Sequence, residues 1–419
     1  FPMTVVEHIR FRWGRYCQPF SLHGRGPAPI VSGRITILHR GQAYVMAALR
    51  ERILRVYEGQ ILDTVPFMLD LSHWFYHRFR LPWDLSCPYI EPDHELIGYH
   101  RKEEVGFYIA NNAAFWSEEY PEDVSVTVRK EMRDGIPEIL WEIATPLGTI
   151  RRVRRWNESS YSWPIVRWGI RDESDLRIFQ YAMSNRTFHP HWDRYRAWAD
   201  AIGECGVVYM PSGYSAVGML MNLWMGVENT ILAAFEQPEV IREVVDSIHA
   251  CQLDLIDLLA ESPAEIIVMG DNFSSDIQPP HFFAEWSRDY YVEAIRRLHA
   301  AGKFVAVHID GRLRGSIGMI RETGADCGDA ITPGLAGDLT PEECREEAGD
   351  EFILSGGISP GLWLPDAREE EFIRAVMRWL ELRKRSPRLI AAAGDQVPPG
   401  AVEDRMRIMR DLVEEQGRF

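Results

Sequence analysis

Long hydrophobic runs are missing from this sequence. No stretch reaches the ~18 consecutive apolar residues that a membrane-spanning helix needs, so no transmembrane segment is expected. The N-terminus lacks the basic-then-apolar pattern of a secretory signal. Cysteine is scarce, with six residues at 17, 87, 205, 251, 327 and 344. None forms a C-x-x-C pair, which argues against a structural zinc knuckle. So few in 419 residues also argues against a disulfide scaffold and for a reducing compartment, the cytoplasm. Positive charge is in deficit: 46 Lys and Arg face 62 Asp and Glu, for a net charge of −16. That balance repels phosphates, so neither nucleic acid nor an anionic membrane surface is an expected partner. A local basic pocket for an anionic substrate stays open. With aromatic residues at 11% and hydrophobic residues at 46%, disorder is not the main theme. The chain opens on Phe1, and Met3 and Met46 are both candidate natural starts.

Residues 1–45 mix Arg, Gly and Pro with short apolar runs and read as an N-terminal extension. From Met46, Leu49, Ile53, Leu54 and Tyr57 recur at helical spacing, with Gly59 as a stop. Val65 to Leu69 reads as a short buried strand. Period-two alternation over Val124–Val128, then Ile139–Ile143, a turn at Thr145–Gly148 and Thr149–Val153, predicts an antiparallel insertion within about residues 107–168. Helices are predicted over 172–183 and 191–202. From residue 207 strands and helices alternate. The predicted strands are 207–210, 266–269, 304–308, 330–332, 352–354 and 389–392. Between them lie helices over 238–259, 282–300, 313–323, 341–348 and 369–382. This repeat predicts a (β/α)8 TIM barrel over residues 46–419, in the α/β class.

In such a barrel the active site forms at the C-terminal ends of the strands. Four predicted strand ends carry polar clusters: Gly270-Asp271-Asn272, His308-Ile309-Asp310-Gly311, Ser355-Gly356-Gly357-Ile358-Ser359-Pro360 and Gly394-Asp395-Gln396. Gly, Asp and Asn are also what ordinary turns use, but four clusters in register on one face point to a site. His308 and Asp310 stand two apart, so on an extended segment they share a side and can converge on one cation or one proton. The competing reading is His308 satisfied by a carbonyl and Asp310 as a helix N-cap. Trp74, Tyr76 and Tyr214 lie near strand ends and are candidate walls for a flat or apolar substrate, with Asn272 as a polar contact. Large aromatics are by default core.

These motifs resemble the uroporphyrinogen decarboxylase superfamily, which also holds the corrinoid-linked methyltransferases of methanol, methylamine and methoxyarene metabolism. The resemblance runs from about Glu51 to the C-terminus. Its pieces are Glu51-Arg-Ile-Leu with Asp63-Thr-Val-Pro66, Met225-Gly-Val-Glu228, Gly270-Asp-Asn272, His308-Ile-Asp-Gly311, Leu354 to Pro360, and Gly394-Asp with Pro398-Pro-Gly. The resemblance implies a (β/α)8 barrel. The decarboxylase branch holds its many-carboxylate substrate with an arginine-rich segment of the form M-R-Q-A-G-R. Phe67 to Tyr76 stands in its place and contains no arginine. The methyltransferase branch carries H-x-C and a later Cys as zinc ligands. Here they read His308, Asp310 and Asp395, a ligand set for a divalent cation, zinc above all, with harder oxygen donors.

Three functions compete at this point. The first is a metal-assisted methyltransferase moving a methyl group from a small O-methylated substrate, aromatic ones included, to a cobalamin-carrying corrinoid protein, with His308, Asp310 and Asp395 polarising the ether oxygen. The second is a metal-independent decarboxylase or lyase in which Asp271 or Asp395 handles the proton. The third is a non-catalytic barrel. The resemblance also implies a homodimer, with no interface legible in the sequence.

Overall fold

A computed structural model describes residues 48–419 apart from 62, 82, 111, 112 and 335. The extension expected over 1–45 lies outside the described residues. Twelve strands are assigned among the described residues. The first six are β1 (Trp116–Glu119), β2 (Ser125–Arg133), β3 (Ile136–Thr145), β4 (Gly148–Arg155), β5 (Ile165–Arg167) and β6 (Thr187–Pro190). They are followed by β7 (Met210–Pro211), β8 (Ile266–Phe273), β9 (Phe304–Ile309), β10 (Cys327–Ile331), β11 (Ile353–Ile358) and β12 (Leu389–Ala393).

The core of this α/β fold is a parallel six-stranded sheet in the order β12-β11-β10-β9-β8-β7. Helices connect its strands, as parallel pairing demands. β10, β11 and β12 are buried at every position, which is why they read as continuous apolar runs rather than alternating ones. Isolated parallel bridges continue the pairing past both edges. Phe67 bridges Ala391 of β12, Met68 bridges Gly106, and Phe107 bridges Gly206. The Tyr209 amide then donates to the Tyr108 carbonyl just before β7 begins.

Two apolar layers sandwich the strands. The inner one gathers Met68, Tyr108, Val207, Tyr209, Ile266, Val268, Ala306, Cys327, Ile353, Ile390 and Ala392. The helix Leu49–Tyr57 covers it through Ile53, Val56 and Tyr57. The outer layer takes the alternate residues, such as Ile267, Met269, Val305, Val307 and Leu354, against the helices.

The antiparallel insertion is a separate four-stranded sheet, β2-β3-β4-β5, that does not join the parallel one. β1 and β6 pair as a second small antiparallel sheet. Local signals set several helix bounds. Thr340 and Glu343 form a reciprocal capping box with Pro341 at the first turn, so Pro341–Ala348 is helical as expected. The helix expected over 282–300 is instead two, Pro280–Trp286 and Arg288–Ala300. They break at Ser287, whose φ of −128° leaves the helical region. No described helix is long and apolar enough to cross a membrane.

Candidate functional site

Parallel register sets the centre of the site. β9 pairs with β10 so that His308 stands beside Asp329, and with β8 so that His308 also stands beside Gly270. His308 belongs to the inner face, two residues beyond Ala306. Its Nδ1 lies 3.6 Å from Asp329 Oδ2. Asp329 is buried and takes a 3.2 Å hydrogen bond from the Ser355 hydroxyl of β11. A side chain added at Gly270 would meet nothing within 4 Å, so there is open space next to the imidazole. His308 keeps 21% of its side-chain surface accessible, enough for a ligand to reach the ring.

Charge shapes this group further. Burial alone would pull the His308 imidazolium down. Pairing with Asp329 and the charges of Asp395 and Asp310 outweigh it and push its pKa up to about 9. Asp395 follows β12. Burial pushes its carboxyl up to about 6, against the pull of His308 and with help from Asp310 and Asp70. Asp310, two residues past His308, acts on both groups. Burial raises Tyr108, and Asp329, Asp70 and Asp395 add to the rise. Tyr214 is raised by burial and by Asp271, Asp310 and Asp395, while Arg154 opposes. His308, Asp310, Asp395 and Tyr214 therefore share one electrostatic neighbourhood, together with Asp70, Tyr108 and Asp329. Asn272 sits next to it at the bulge between Gly270 and Phe273, half-buried, in the left-handed conformation that Asn tolerates (φ 51°).

Three expected site residues face elsewhere. Asp271 is fully buried and turned to the outer face, because Gly270 takes the inner one and successive strand residues alternate. Its Oδ1 accepts the Ser215 amide at 2.7 Å, and its Oδ2 accepts the Ser215 hydroxyl. A Cβ on Gly218 would lie 1.9 Å from Asp271 Oδ1, so only glycine lets the helix Ala216–Met219 approach this closely. Burial pushes the Asp271 carboxyl up to about 7 against the hydrogen bonds from Ser215 and Tyr291. It pins that helix to β8 rather than facing a cavity. Trp74 is 1% exposed inside the helix Ser72–Phe79, its Nε1 donating to the Ala401 carbonyl at 3.1 Å and its ring 5.2 Å from Tyr99. The Tyr76 hydroxyl donates to Asp93 Oδ2 at 2.7 Å, with Trp83 and Tyr89 around the ring. Both rings fill the layer between helices, where their large apolar area is better buried than at a wet mouth. Trp74→Phe is expected to cost roughly 1–2 kcal/mol in urea denaturation, for the lost indole bond and area. A changed KM with unchanged stability would put the ring back on the site.

Asp329 and Asp70 escaped the sequence reading. Asp329 was missed because the strand was expected to begin at Ala330, whereas β10 begins at Cys327. A single carboxylate inside Cys327-Gly-Asp-Ala-Ile331 was the available signal. Asp70 directly follows the segment Val65 to Leu69 and is the same kind of strand-end carboxylate as Asp395.

The protein is similar in fold to a methyltransferase from Methanosarcina mazei, with a TM-score of 0.57 at 12% identity over 88% of this chain and 99% of that chain. A likeness to D-psicose 3-epimerase from Clostridium cellulolyticum H10 reaches a TM-score of only 0.35 at 10% identity, over 54% of this chain and 85% of that one, and carries no argument. No curated protein sequence matches significantly. The family model described as uroporphyrinogen decarboxylase (URO-D) matches residues 204–416, half of the chain and the part that carries β7 to β12. With its parallel sheet and strand-end polar groups, the chain belongs to the uroporphyrinogen decarboxylase family.

Proposed function

We propose that this protein is a methyltransferase that takes the methyl group of a small O-methylated substrate, aromatic ethers included, and passes it to a corrinoid protein. Family membership and the fold likeness support an enzyme of this superfamily. One observation carries the finer reading: an accessible imidazole, paired through Nδ1 with a buried carboxylate, beside open space at Gly270. An ether oxygen leaves poorly as an alkoxide and well as an alcohol or phenol. In this reading the substrate oxygen sits against His308 Nε2. As the methyl–oxygen bond breaks, the oxygen keeps the electron pair and takes the His308 proton. The acceptor corrinoid, bound to its own protein, would supply the nucleophilic cobalt(I). The same reading takes the six parallel strands with the bridged segments at 64–69 and 106–109 as one (β/α)8 barrel, with its site at the C-terminal strand ends.

A divalent cation, zinc first, is the other electrophile proposed for this position. His308 Nε2, Asp310 and Asp395 would hold it. The Asp329–His308 contact favours it, since a carboxylate on the far nitrogen orients ligating imidazoles. As arranged, the side chains fit a proton better: among the described residues no three His, Cys, Asp or Glu converge as a cation needs. Elemental analysis of wild type and Asp395→Ala is expected to return equal and substoichiometric metal. One equivalent in the wild type, lost in the variant, would make the cation the electrophile.

The deciding assay mixes the protein with a reduced corrinoid protein and a panel of methoxyarenes and follows methyl–cobalt formation by absorbance. Carbon dioxide release from a carboxylated substrate, with no methyl transfer from any ether, would replace this reading by the decarboxylase one.

A further inference from the structure

The run Arg151-Arg152-Val153-Arg154-Arg155 puts four arginines on β4, in the inserted sheet outside the matched family region. The strand sorts them by face. Arg151 pairs with Glu142 and Arg155 with Glu138 across β3, both as salt bridges. Arg152 and Arg154 point the other way, on the side of the buried Ile150. Among the described residues neither makes a salt bridge.

Arg152 is 6% exposed. Its guanidinium is sandwiched between Trp141 and Trp224, with centroids at 4.5 and 4.7 Å. Its Nη1 donates to the Leu223 carbonyl at 2.9 Å, and its buried Nε has no partner among the described residues. Arg154 gives Nη1 to the Trp163 carbonyl at 2.8 Å. Each guanidinium has five N–H donors, so both retain unused donors. Burying a cation beside a second one, with neutral partners only, is costly. Burial and the mutual repulsion of Arg152 and Arg154 accordingly hold Arg152 down, at about 9. Tyr214 packs in the same apolar cluster as Trp141 and Trp224, the two rings that flank Arg152, and its neighbour Ser215 donates to Asp271 of β8; Arg154, Asp310 and Asp395 all act on its hydroxyl.

We propose that Arg152 and Arg154 form an anion receptor at the rim of the site and bind a carboxylate on the substrate. This rests on the methyltransferase reading and narrows it to methoxylated carboxylic acids. A guanidinium matches a carboxylate with two parallel hydrogen bonds. A monoanion suits the position better than a phosphate dianion, because the carboxyls of Asp310 and Asp395 act on Tyr214 together with Arg154.

The test is binding, read by tryptophan fluorescence and calorimetry. The probes are ortho-, meta- and para-methoxybenzoate, the matching methoxybenzyl alcohols and inorganic phosphate. Wild type is expected to bind at least one benzoate about tenfold or more tighter than its alcohol, the effect of a charged hydrogen-bond pair. Arg154→Gln, less buried and safer for folding than Arg152→Gln, should weaken the benzoate about tenfold and the alcohol far less, which removes that preference. Equal binding of acid and alcohol, no binding of any benzoate, equal weakening of both probes in Arg154→Gln, or phosphate competing as well as benzoate would each overturn the receptor. Benzoate preference without methyl transfer from any ether would sink the methyltransferase reading and leave the receptor standing. Methyl transfer equally fast from acid and alcohol would do the reverse.

Discussion

His308→Ala is expected to lower kcat for methyl transfer about 10²–10⁴-fold, the usual worth of a positioned proton donor, with KM changed by no more than a few-fold. The imidazole is the group placed to meet the leaving oxygen, while substrate anchoring lies elsewhere. Added imidazole should restore part of the rate, since the deletion leaves a hole next to the space at Gly270. Asp329→Asn should cost less, about 10–100-fold, because Asp329 acts through His308 by holding Nδ1. Unlike His308→Ala, it should gain nothing from imidazole. A His308→Ala enzyme within about threefold of wild type would remove His308 from the chemistry.

The second large effect concerns stability and Asp271. Its carboxyl is raised from 3.8 to about 7 in the folded protein, chiefly by burial. A raised carboxyl stabilises the fold fully below its unfolded value, and that contribution is lost as pH rises through the folded value. Wild type should therefore lose on the order of 3 kcal/mol relative to Asp271→Asn between about pH 4 and pH 7. The amide keeps the size of the side chain and an acceptor for the Ser215 amide, and it never ionises. Asp395, raised to about 6, gives both proteins a further decline of the same sign. Urea denaturation across this range is the measurement. Parallel curves for wild type and Asp271→Asn would show that Asp271 does not titrate there.

Much of the fold was legible because its signals are local. The strand–helix repeat after residue 207, the period-two stretches of β2 to β4 and the capping box at Thr340 each depend on neighbours within a few residues. The two-residue spacing of His308 and Asp310 is local in the same way, although β9 ends at Ile309 and Asp310 stands one residue past it. What stayed hidden depends on register and alternation between distant segments. Asp271 looked like a site residue because it follows an apolar strand, yet β8 runs on to Phe273 and aligns Gly270, not Asp271, with His308. Asp329 became the partner of His308 through the pairing of β9 with β10, across 21 positions of sequence. The four arginines of β4 stand within five residues of each other in the sequence. Cross-strand carboxylates on β3 pair with two of them; among the described residues the other two make no salt bridge, Arg152 lying between two tryptophans and Arg154 donating to a backbone carbonyl. The sequence by itself determined which segments become strands and which residue types stand at their ends, since backbone propensity and hydrophobic period are local properties. Only the tertiary structure decided which of those residues meet, because a side chain's face and partner depend on the register that packing selects.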